Sequence, residues 1–385
     1  MPSCGKDEAP SVPEQPSMPS NPNEPQQPET PDAPDTPEEP EDPTPDQPEL
    51  VNFAKGADVS WVTQMEDAGY KFKHINGEEG DLYEILKYDC GVNATRFRVW
   101  VDPTQYFDGG KENWNVQNDY NSIRDVVEKA QRAAALEMDI MIDFHFSDQW
   151  ADPGNQQIPS SWMPADGSEP TLEHLELKMK EFIDSTLTAL SQIDVIPNWV
   201  QIGNETRDGF LFPVGNATSH PDNFARLITT GYEAVKSFSE DIIVIVHEDN
   251  AWSLGDAKWL FGDVLEKFDA KYDMIGLSLY PTQAAYWNGG TWQTYLTKGI
   301  ENAEVLCKQF NKPVMFVEVG MPWDEPENGA FMLESIMDAA KENDMLKGVF
   351  WWEPESTPAT SDGYTLGAFN QDGKPNGSLA PFLDN

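Results

Sequence analysis

Short apolar runs alternate with amphipathic segments eight times in this chain of 385 residues, and no other feature constrains its fold as strongly. The apolar runs are residues 53–59, 94–99, 139–144, 199–203, 242–247, 274–279, 314–319 and 348–352. The clearest amphipathic segments are residues 120–136, 175–193, 223–239, 296–310 and 331–343. Strands that alternate with helices in this way are typical of a parallel (β/α)8 barrel, the TIM-barrel form of an α/β fold. A turn at residues 370–373 and a short helix within residues 366–385 are expected to close the barrel.

The first 50 residues differ in composition from the rest of the chain. Between Asp7 and Leu50 they are dominated by Pro, Glu, Asp, Gln, Ser and Thr, and they include no aromatic residue. Such a segment cannot bury enough apolar area to offset the entropy that folding would cost. The sequence therefore predicts a disordered, acidic, Pro-rich tether at residues 1–50 and a barrel domain at residues 51–385.

Charge and cysteine content limit the partners of the chain. The formal net charge is −42, which would repel phosphates, so neither nucleic acid nor an anionic membrane surface is expected as a partner. The three cysteines, Cys4, Cys90 and Cys307, form no CxxC pair, and they predict neither a disulfide framework nor a zinc site. Nothing in the sequence indicates a dimer, so we expect a monomer.

Cys4 stands near the start of the tether, in a position that resembles that of the lipid-modified cysteine of a bacterial lipoprotein whose signal peptide has been removed. A lipid anchor at Cys4 would place the protein on the extracellular face of the cell surface, as an outer-membrane lipoprotein. An ordinary free cysteine, with a secreted protein, is the alternative.

Polar residues cluster where the predicted strands end, which is where a parallel barrel carries its active site. Two glutamates are notable among them, because Glu205 ends the segment WVQIGNE and Glu318 lies inside the apolar run VMFVEVG. A charge inside such a run is costly unless it is paired or functional, and glycoside cleavage requires two carboxyl groups. Glu205 and Glu318 are therefore the candidate catalytic pair, and chance ion pairing of each is the simpler alternative.

Longer motifs around these glutamates carry a family resemblance. They are KGADVSW, GVNATRFRVWVDP, DFHFSDQWADPGNQ, QIGNETRDGFLFPVG, IGLSLYP and WWEPES, and together they span nearly all of residues 51–356. In these motifs the chain resembles glycoside hydrolase family 53, the endo-β-1,4-galactanases. The resemblance implies retaining endo-hydrolysis of plant (arabino)galactan, with Glu205 as acid/base and Glu318 as nucleophile. It also implies that Asn204 binds the 2-hydroxyl of the sugar being cleaved, and that Tyr280 and Arg98 orient Glu318.

Further substrate-binding residues are expected around this pair. They are His145, Asp148, Trp150, Asp152, Gln156, Asn250, Trp323 and Trp352, of which the tryptophans would supply flat faces for sugar rings. A core role is the alternative for His145 and for any tryptophan, and for Trp287 the two roles are equally balanced.

No metal and no cofactor are expected. The run from His145 to Ser147 lacks a His-x-His pair. Some bacterial relatives hold calcium in a long loop after the seventh strand, whereas here residues 324–329 lead directly into a predicted helix. The same catalytic pair would also suit a mannanase or a cellulase. A non-catalytic glycan-binding surface protein is the alternative from another functional class.

Overall fold

Eight parallel strands close into a barrel in the computed structural model, which describes residues 53–105, 119–358 and 364–383. The strands are β1 (Ala54–Asp58), β2 (Ala94–Val99), β3 (Asp139–Phe144), β4 (Trp199–Ile202), β5 (Ile243–Glu248), β6 (Met274–Leu279), β7 (Val314–Val319) and β8 (Leu346–Trp352). Strand β1 pairs with both β2 and β8, which closes the ring. The predicted (β/α)8 barrel is thus confirmed. The predicted tether and Cys4 lie outside the described residues.

Helices surround the strands. They are α1 (Val62–Asp67), α2 (Ile123–Ala135), α3 (Leu172–Ser191), α4 (Pro221–Phe238), α5 (Leu254–Lys258), α6 (Pro281–Asn288), α7 (Trp292–Phe310) and α8 (Pro326–Glu342). Shorter helical turns span Leu82–Glu84, Ile85–Asp89, Pro103–Gln105, Ser160–Trp162, Trp259–Glu266 and Ala380–Leu383, and Phe72–Lys73 pairs with Glu79–Gly80 in a small hairpin. Of the helices described, none is both long and apolar enough to span a bilayer.

Capping residues explain where several helices begin. Ser122, Thr171 and Thr291 each accept a hydrogen bond from the backbone three residues later, and a proline occupies the first turn of α4, α6 and α8. These signals start α3, α7 and α8 several residues earlier than the hydrophobic pattern predicted. The expected terminal helix is a short turn whose Phe382 carbonyl accepts a hydrogen bond from Lys55 Nζ at 2.7 Å, which fastens it to β1.

The barrel interior is divided into an apolar lower half and a polar upper half. The apolar half comprises Ala54, Ala94, Met141, Trp199, Ile245, Met274, Met315, Val317 and Phe350. Gly56 belongs to the same region, because a Cβ atom there would lie 2.2 Å from the Phe350 ring. A larger apolar cluster fills the space between strands and helices. Inward-facing polar side chains are therefore concentrated at the carboxyl ends of the strands.

A β-bulge in β7 turns Glu318 into the barrel. Leu277 pairs with Phe316 but Ser278 pairs with Glu318, so Val317 is an extra residue between two aligned pairs. Val317 already packs in the interior apolar cluster, and strict alternation would then direct Glu318 towards the helices. The extra residue allows both Val317 and Glu318 to face inward.

Candidate active site

A cavity of about 470 Å³ opens at the carboxyl ends of the strands. It brings together most of the residues predicted from the sequence: Arg98, His145, Trp150, Asp152, Asn204, Glu205, Asn250, Tyr280, Glu318 and Trp352. Three other predicted residues, Asp148, Gln156 and Trp323, do not line it. Both candidate catalytic glutamates therefore face one shared space.

Arg96, on β2, is the centre of the charge network below this cavity. Its guanidinium donates hydrogen bonds to Asp58 (2.8 Å), Asp143 (2.8 Å), Glu318 (2.9 Å), Asn204 (2.9 Å) and Gln201 (3.2 Å). Burial alone would lower the pKa of Arg96, but the surrounding carboxylates together raise it. Arg96 therefore remains a fixed positive charge beside Glu318.

Arg98 does not make the contact with Glu318 that we expected from the family resemblance. Both arginines face the interior because they are two residues apart on one strand, but Arg98 lies one pleat closer to the rim. There its guanidinium pairs with Glu353, at the end of β8, and lies 4.2 Å from the centroid of the Trp150 ring. Arg96 takes the expected place at Glu318, and Arg98 is assigned to the rim.

Glu318 is held at both carboxylate oxygens. Its Oε1 accepts the hydrogen bond from Arg96, and its Oε2 accepts one from the Tyr280 hydroxyl at 3.1 Å. Burial raises the pKa of Glu318, and the negative charges of Asp143 and Asp58 raise it as well, while the positive charge of Arg96 and its hydrogen bond lower it. Arg96 therefore favours the carboxylate form of Glu318 and opposes the effect of burial.

Glu205, which follows β4, has a different environment. Burial raises its pKa well above the usual range, and the negative charges of Glu318 and Asp249 raise it further. The hydrogen bond from the Ser278 hydroxyl to Oε1, at 2.9 Å, acts in the opposite direction and lowers the pKa. Two carboxyl groups with such different surroundings divide into a proton carrier and an anion. Glu205 is the better proton carrier of the pair.

His145 is fixed at both ring nitrogens. Its Nδ1 accepts hydrogen bonds from Trp100 Nε1 (3.1 Å) and from the backbone of Ala151 (3.2 Å), so its hydrogen is on Nε2, which faces Asp143 at 3.0 Å. Burial opposes ionisation of Asp143, but Arg96 and His145 outweigh it and hold the pKa of Asp143 below its usual value. His145 thus connects the cavity wall to the charge network.

Comparison with known proteins decides the family. Residues 54–380 match the sequence profile described as glycosyl hydrolase family 53. The chain belongs to this family. It is 30% identical, over 85% of its own length and 98% of the relative's, to an arabinogalactan endo-β-1,4-galactanase of Thermothelomyces thermophilus.

Solved structures resemble this family 53 hydrolase over a similar extent. A structure from a study of two fungal β-1,4-galactanases superposes with a TM-score of 0.72 and 26% identity, covering 86% of this chain and 98% of the other. The family 53 catalytic domain of Ignisphaera aggregans gives a TM-score of 0.72 at 25% identity, covering 87% and 97%. The resemblance thus includes the entire barrel.

The three predicted residues outside the cavity wall of this family 53 hydrolase support its loops. Asp148 accepts hydrogen bonds from the backbone nitrogens of Asp102 (3.0 Å) and Ser160 (2.7 Å), which ties two loops together. Gln156 donates through Nε2 to the carbonyl of Asn204 at 2.8 Å. The Trp323 carbonyl accepts a hydrogen bond from Asn376 at 2.7 Å. The side chains of Asp148 and Gln156 thus support loops outside the cavity wall, and Trp323, which is half-buried, contributes its backbone carbonyl.

Several residues that line the cavity were not predicted from the sequence. They are Arg96, Asp143, Ala151, Pro153, Asp249, Trp252, Gln283, Trp287 and Tyr364. Arg96 and Asp249 were visible as polar residues at strand ends. Gln283 and Trp287 lie on α6, whose start was marked by Tyr280 and Pro281, but no sequence feature showed which face of that helix meets the cavity.

The loop that follows β7 is short in this family 53 hydrolase, since α8 begins at Pro326. Within the residues that the structure describes, no group of three or more histidine, cysteine, aspartate or glutamate side chains is arranged to hold a metal ion. The absence of calcium from this loop stays a prediction, and a bound calcium ion there would contradict it.

Proposed function

We propose that this family 53 hydrolase cleaves internal β-1,4-galactosidic linkages of plant (arabino)galactan and retains the anomeric configuration. The observation that carries the proposal is the pair Glu205 and Glu318, which share one cavity: burial raises the pKa of both, but neighbouring negative charges raise that of Glu205 further, whereas Arg96 opposes the rise at Glu318. The similarity to the arabinogalactan endo-β-1,4-galactanase of Thermothelomyces thermophilus supports the substrate class. A retaining mechanism requires the two carboxyl groups to lie about 5–5.5 Å apart.

The reaction would proceed in two displacements. In the first, Glu318 attacks the anomeric carbon while Glu205 gives its proton to the glycosidic oxygen, so that the leaving part of the glycan departs as an alcohol. In the second, the carboxylate of Glu205 takes a proton from water, whose oxygen displaces Glu318 from the sugar. Arg96 and Tyr280 hold the attacking carboxylate in place and stabilise it when it is released.

The side chains around the pair are proposed to bind the sugar chain. Arg98 lines the cavity, but its Nε and Nη2 atoms are buried and have no hydrogen-bond partner among the described residues, so we assign Arg98 to support of the Trp150 face and not to direct contact with substrate hydroxyls. Asn204 uses one amide hydrogen on the carbonyl of Ala151 at 2.8 Å and has a second for the 2-hydroxyl. Trp150 and Trp352 contribute aromatic faces to the cavity wall.

Product analysis on linear β-1,4-galactan tests activity, endo action and retention together. We expect a mixture of oligosaccharides, and proton NMR should show the β-anomer of the new reducing end before mutarotation produces the α-anomer. Initial appearance of the α-anomer would contradict retention. Cleavage of mannan or cellulose in place of galactan would favour the alternative endoglycanases, and absence of any cleavage would favour a glycan-binding protein.

Substitution of Glu205 by glutamine should remove the basic limb of the pH profile. In the wild type, activity requires protonated Glu205, so kcat/KM falls as pH rises through its raised pKa. Glutamine does not titrate. The residual rate of the Glu205→Gln variant on substrates with good leaving groups should therefore not fall in the pH range of that basic limb. A basic limb at the same pH in the variant would assign it to another group.

Trp287 and its neighbour Tyr286 offer a matched test of the leaving-group side of the groove. The negative charge of Asp249 raises the pKa of Glu205, so the part of the rim that carries Asp249 and Trp252 lies on the same side of the cavity as the acid. Trp287, on α6, lines the same cavity. Trp287 is 65% exposed, whereas Tyr286 is 86% exposed and does not line it. Stacking of a sugar ring on Trp287 would assist only substrates that extend past the cleaved bond.

We expect Trp287→Ala to lower kcat/KM on linear galactan by about tenfold. An aryl β-galactobioside, which has no sugar on the leaving side, should be hydrolysed at nearly the wild-type rate. Tyr286→Ala should change neither substrate's rate by more than about twofold. Equal effects of the two substitutions on galactan would exclude a sugar platform at Trp287.

The location of the enzyme is also proposed. An extracellular site of action fits a polysaccharide substrate, and a role in degrading the galactan side chains of pectin follows from the proposed activity. A lipid anchor at Cys4 followed by the acidic tether would hold a monomeric barrel away from the cell surface. Labelled palmitate should be incorporated by the wild type and not by Cys4→Ala, and labelling of neither would favour a secreted protein.

A further inference from the structure

His247, near the end of β5, is fully buried and does not line the cavity. Its Nδ1 atom lies 3.2 Å from the backbone nitrogen of Glu205 and 3.1 Å from Nε2 of Gln201. The hydrogen of a backbone N–H is fixed, so Nδ1 must accept it and carries none itself. Asn204 Oδ1 is also 3.1 Å from Nδ1, but it already accepts a hydrogen bond from Arg96.

The single hydrogen of a neutral His247 ring must therefore be on Nε2. Burial and the nearby charge of Arg96 lower the pKa of His247 well below its usual value, which keeps the ring neutral. Nε2 lies 2.7 Å from the Ser278 hydroxyl oxygen, which accepts the Nε2 hydrogen with one of its lone pairs. His247 thus donates to Ser278.

Ser278 has one hydroxyl hydrogen, and the direction of that hydrogen follows. Because His247 occupies a lone pair, the hydroxyl hydrogen is directed to the other close oxygen, Oε1 of Glu205, at 2.9 Å. Among the described residues, no hydrogen bond reaches Oε2 of Glu205. The two hydrogen bonds, from His247 to Ser278 and from Ser278 to Glu205, therefore distinguish the two oxygens of the Glu205 carboxyl group.

We propose that Ser278, supported by His247, is a positioning residue that reserves Oε2 of Glu205 as the oxygen that carries the catalytic proton. The inference rests on the proposed role of Glu205 as acid/base. A proton on Oε1 would point at the hydrogen of Ser278, so the neutral acid is protonated on Oε2, the oxygen that has no hydrogen-bond partner in the described part of the protein. In the second displacement, Oε2 is likewise the oxygen that takes the proton from water.

The hydrogen bond from Ser278 also affects the pKa of Glu205. When Glu205 is ionised, the hydrogen from Ser278 stabilises its carboxylate and limits the rise in pKa that burial produces. Ser278 therefore affects both the position of the proton and the pH at which it is lost. A serine that only filled space would affect neither.

Substitution of Ser278 by alanine should move the basic limb of the kcat/KM profile on galactan to higher pH, by about one unit. The rate with a poor leaving group should fall about tenfold, because the proton is no longer confined to Oε2. A dinitrophenyl β-galactobioside, whose leaving group needs no proton, should form the glycosyl-enzyme within about twofold of the wild-type rate. Ser278→Thr, which keeps the hydroxyl, should restore the wild-type limb.

Ser378→Ala is a matched control, because Ser378 is equally buried, but its hydroxyl has no hydrogen-bond partner among the described residues. It should leave the pH profile unchanged. The proposal is overturned if Ser278→Ala leaves the basic limb in place, or if it slows good and poor leaving groups equally. The Glu205→Gln variant distinguishes this result from failure of the proposed function. A basic limb that persists in Glu205→Gln would show that Glu205 is not the catalytic acid.

Discussion

Substitution of Glu318 by alanine should reduce galactan hydrolysis by on the order of 10⁴-fold or more, the scale seen when a covalent nucleophile is removed. The reason is geometric as well as chemical. The β7 bulge aims Glu318 into the cavity, and Arg96 and Tyr280 fix both of its oxygens. Alanine removes the attacking oxygen, and no other described carboxylate is held in the same position by Arg96 and Tyr280 together.

Rescue by azide would identify the lost function as nucleophilic attack. The alanine variant leaves space below the anomeric carbon, where azide can displace the phenolate of an activated aryl β-galactobioside in a single step. One displacement inverts the configuration, so the expected product is an α-galactosyl azide. A β-configured azide product would instead show that another residue still forms the covalent intermediate.

Glu248 provides the matched control for this experiment. It is fully buried and ends β5, as Glu318 lies near the end of β7, but it does not line the cavity. Burial raises its pKa well above the usual range, which favours the protonated form, and glutamine resembles that form closely. Glu248→Gln should keep galactan hydrolysis within a few-fold of wild type. A loss as large as that of Glu318→Ala would indicate general damage to the barrel.

The barrel and the catalytic pair were predictable because their signals are local. Apolar, β-branched runs gave the strands to within about two residues, and a carboxylate inside such a run is unusual on physical grounds alone. Glu318 was selected in this way, and Glu205 was selected because it stands at the end of a predicted strand. The inward direction of Glu318 was not predictable, because it depends on an extra residue, Val317, that is visible only when β7 is paired with β6.

The remaining errors concern the position of a residue along the barrel axis and its distance from residues on other strands, which a sequence does not give. Alternation correctly placed Arg96 and Arg98 on one face, but only the barrel shows that Arg96 is level with Glu318 and that Arg98 reaches Glu353. Ser278 is one hydroxyl in the segment IGLSLYP, and its importance depends on His247 and Glu205, which come from two other strands. Contacts across strands therefore decided every role that the sequence missed.

Substitution of Arg96 by methionine should cost about 3–5 kcal/mol of folding free energy, as expected when one partner of a buried ion pair is removed. Three buried carboxylates, Asp58, Asp143 and Glu318, would lose the charge that compensates them. Methionine has a similar volume and leaves no cavity, so the loss would be mainly electrostatic. Denaturant unfolding followed by intrinsic fluorescence measures it directly.

The pH dependence of that loss identifies its cause. In the wild type, Asp143 has a pKa below its usual value, so it contributes stability above the unfolded pKa and loses it as pH falls. Without Arg96, burial is no longer outweighed at Asp143, whose folded pKa should rise above its unfolded value, and the pKa of Glu318, which is already raised, should rise further. Their ionisation would then oppose folding as pH rises, so the difference between variant and wild type should be larger at pH 8 than at pH 5.

Arg226→Met supplies the contrast. Arg226 pairs with Glu176, but its side chain is 49% exposed, so solvent screens the pair and its loss should cost less than about 1 kcal/mol. If Arg96→Met were as stable as Arg226→Met, or if its deficit did not grow with pH, the three carboxylates would not be charged in the folded protein. Glu318 would then lack the anionic character that nucleophilic attack requires, and the assignment of its role would fail with the stability argument.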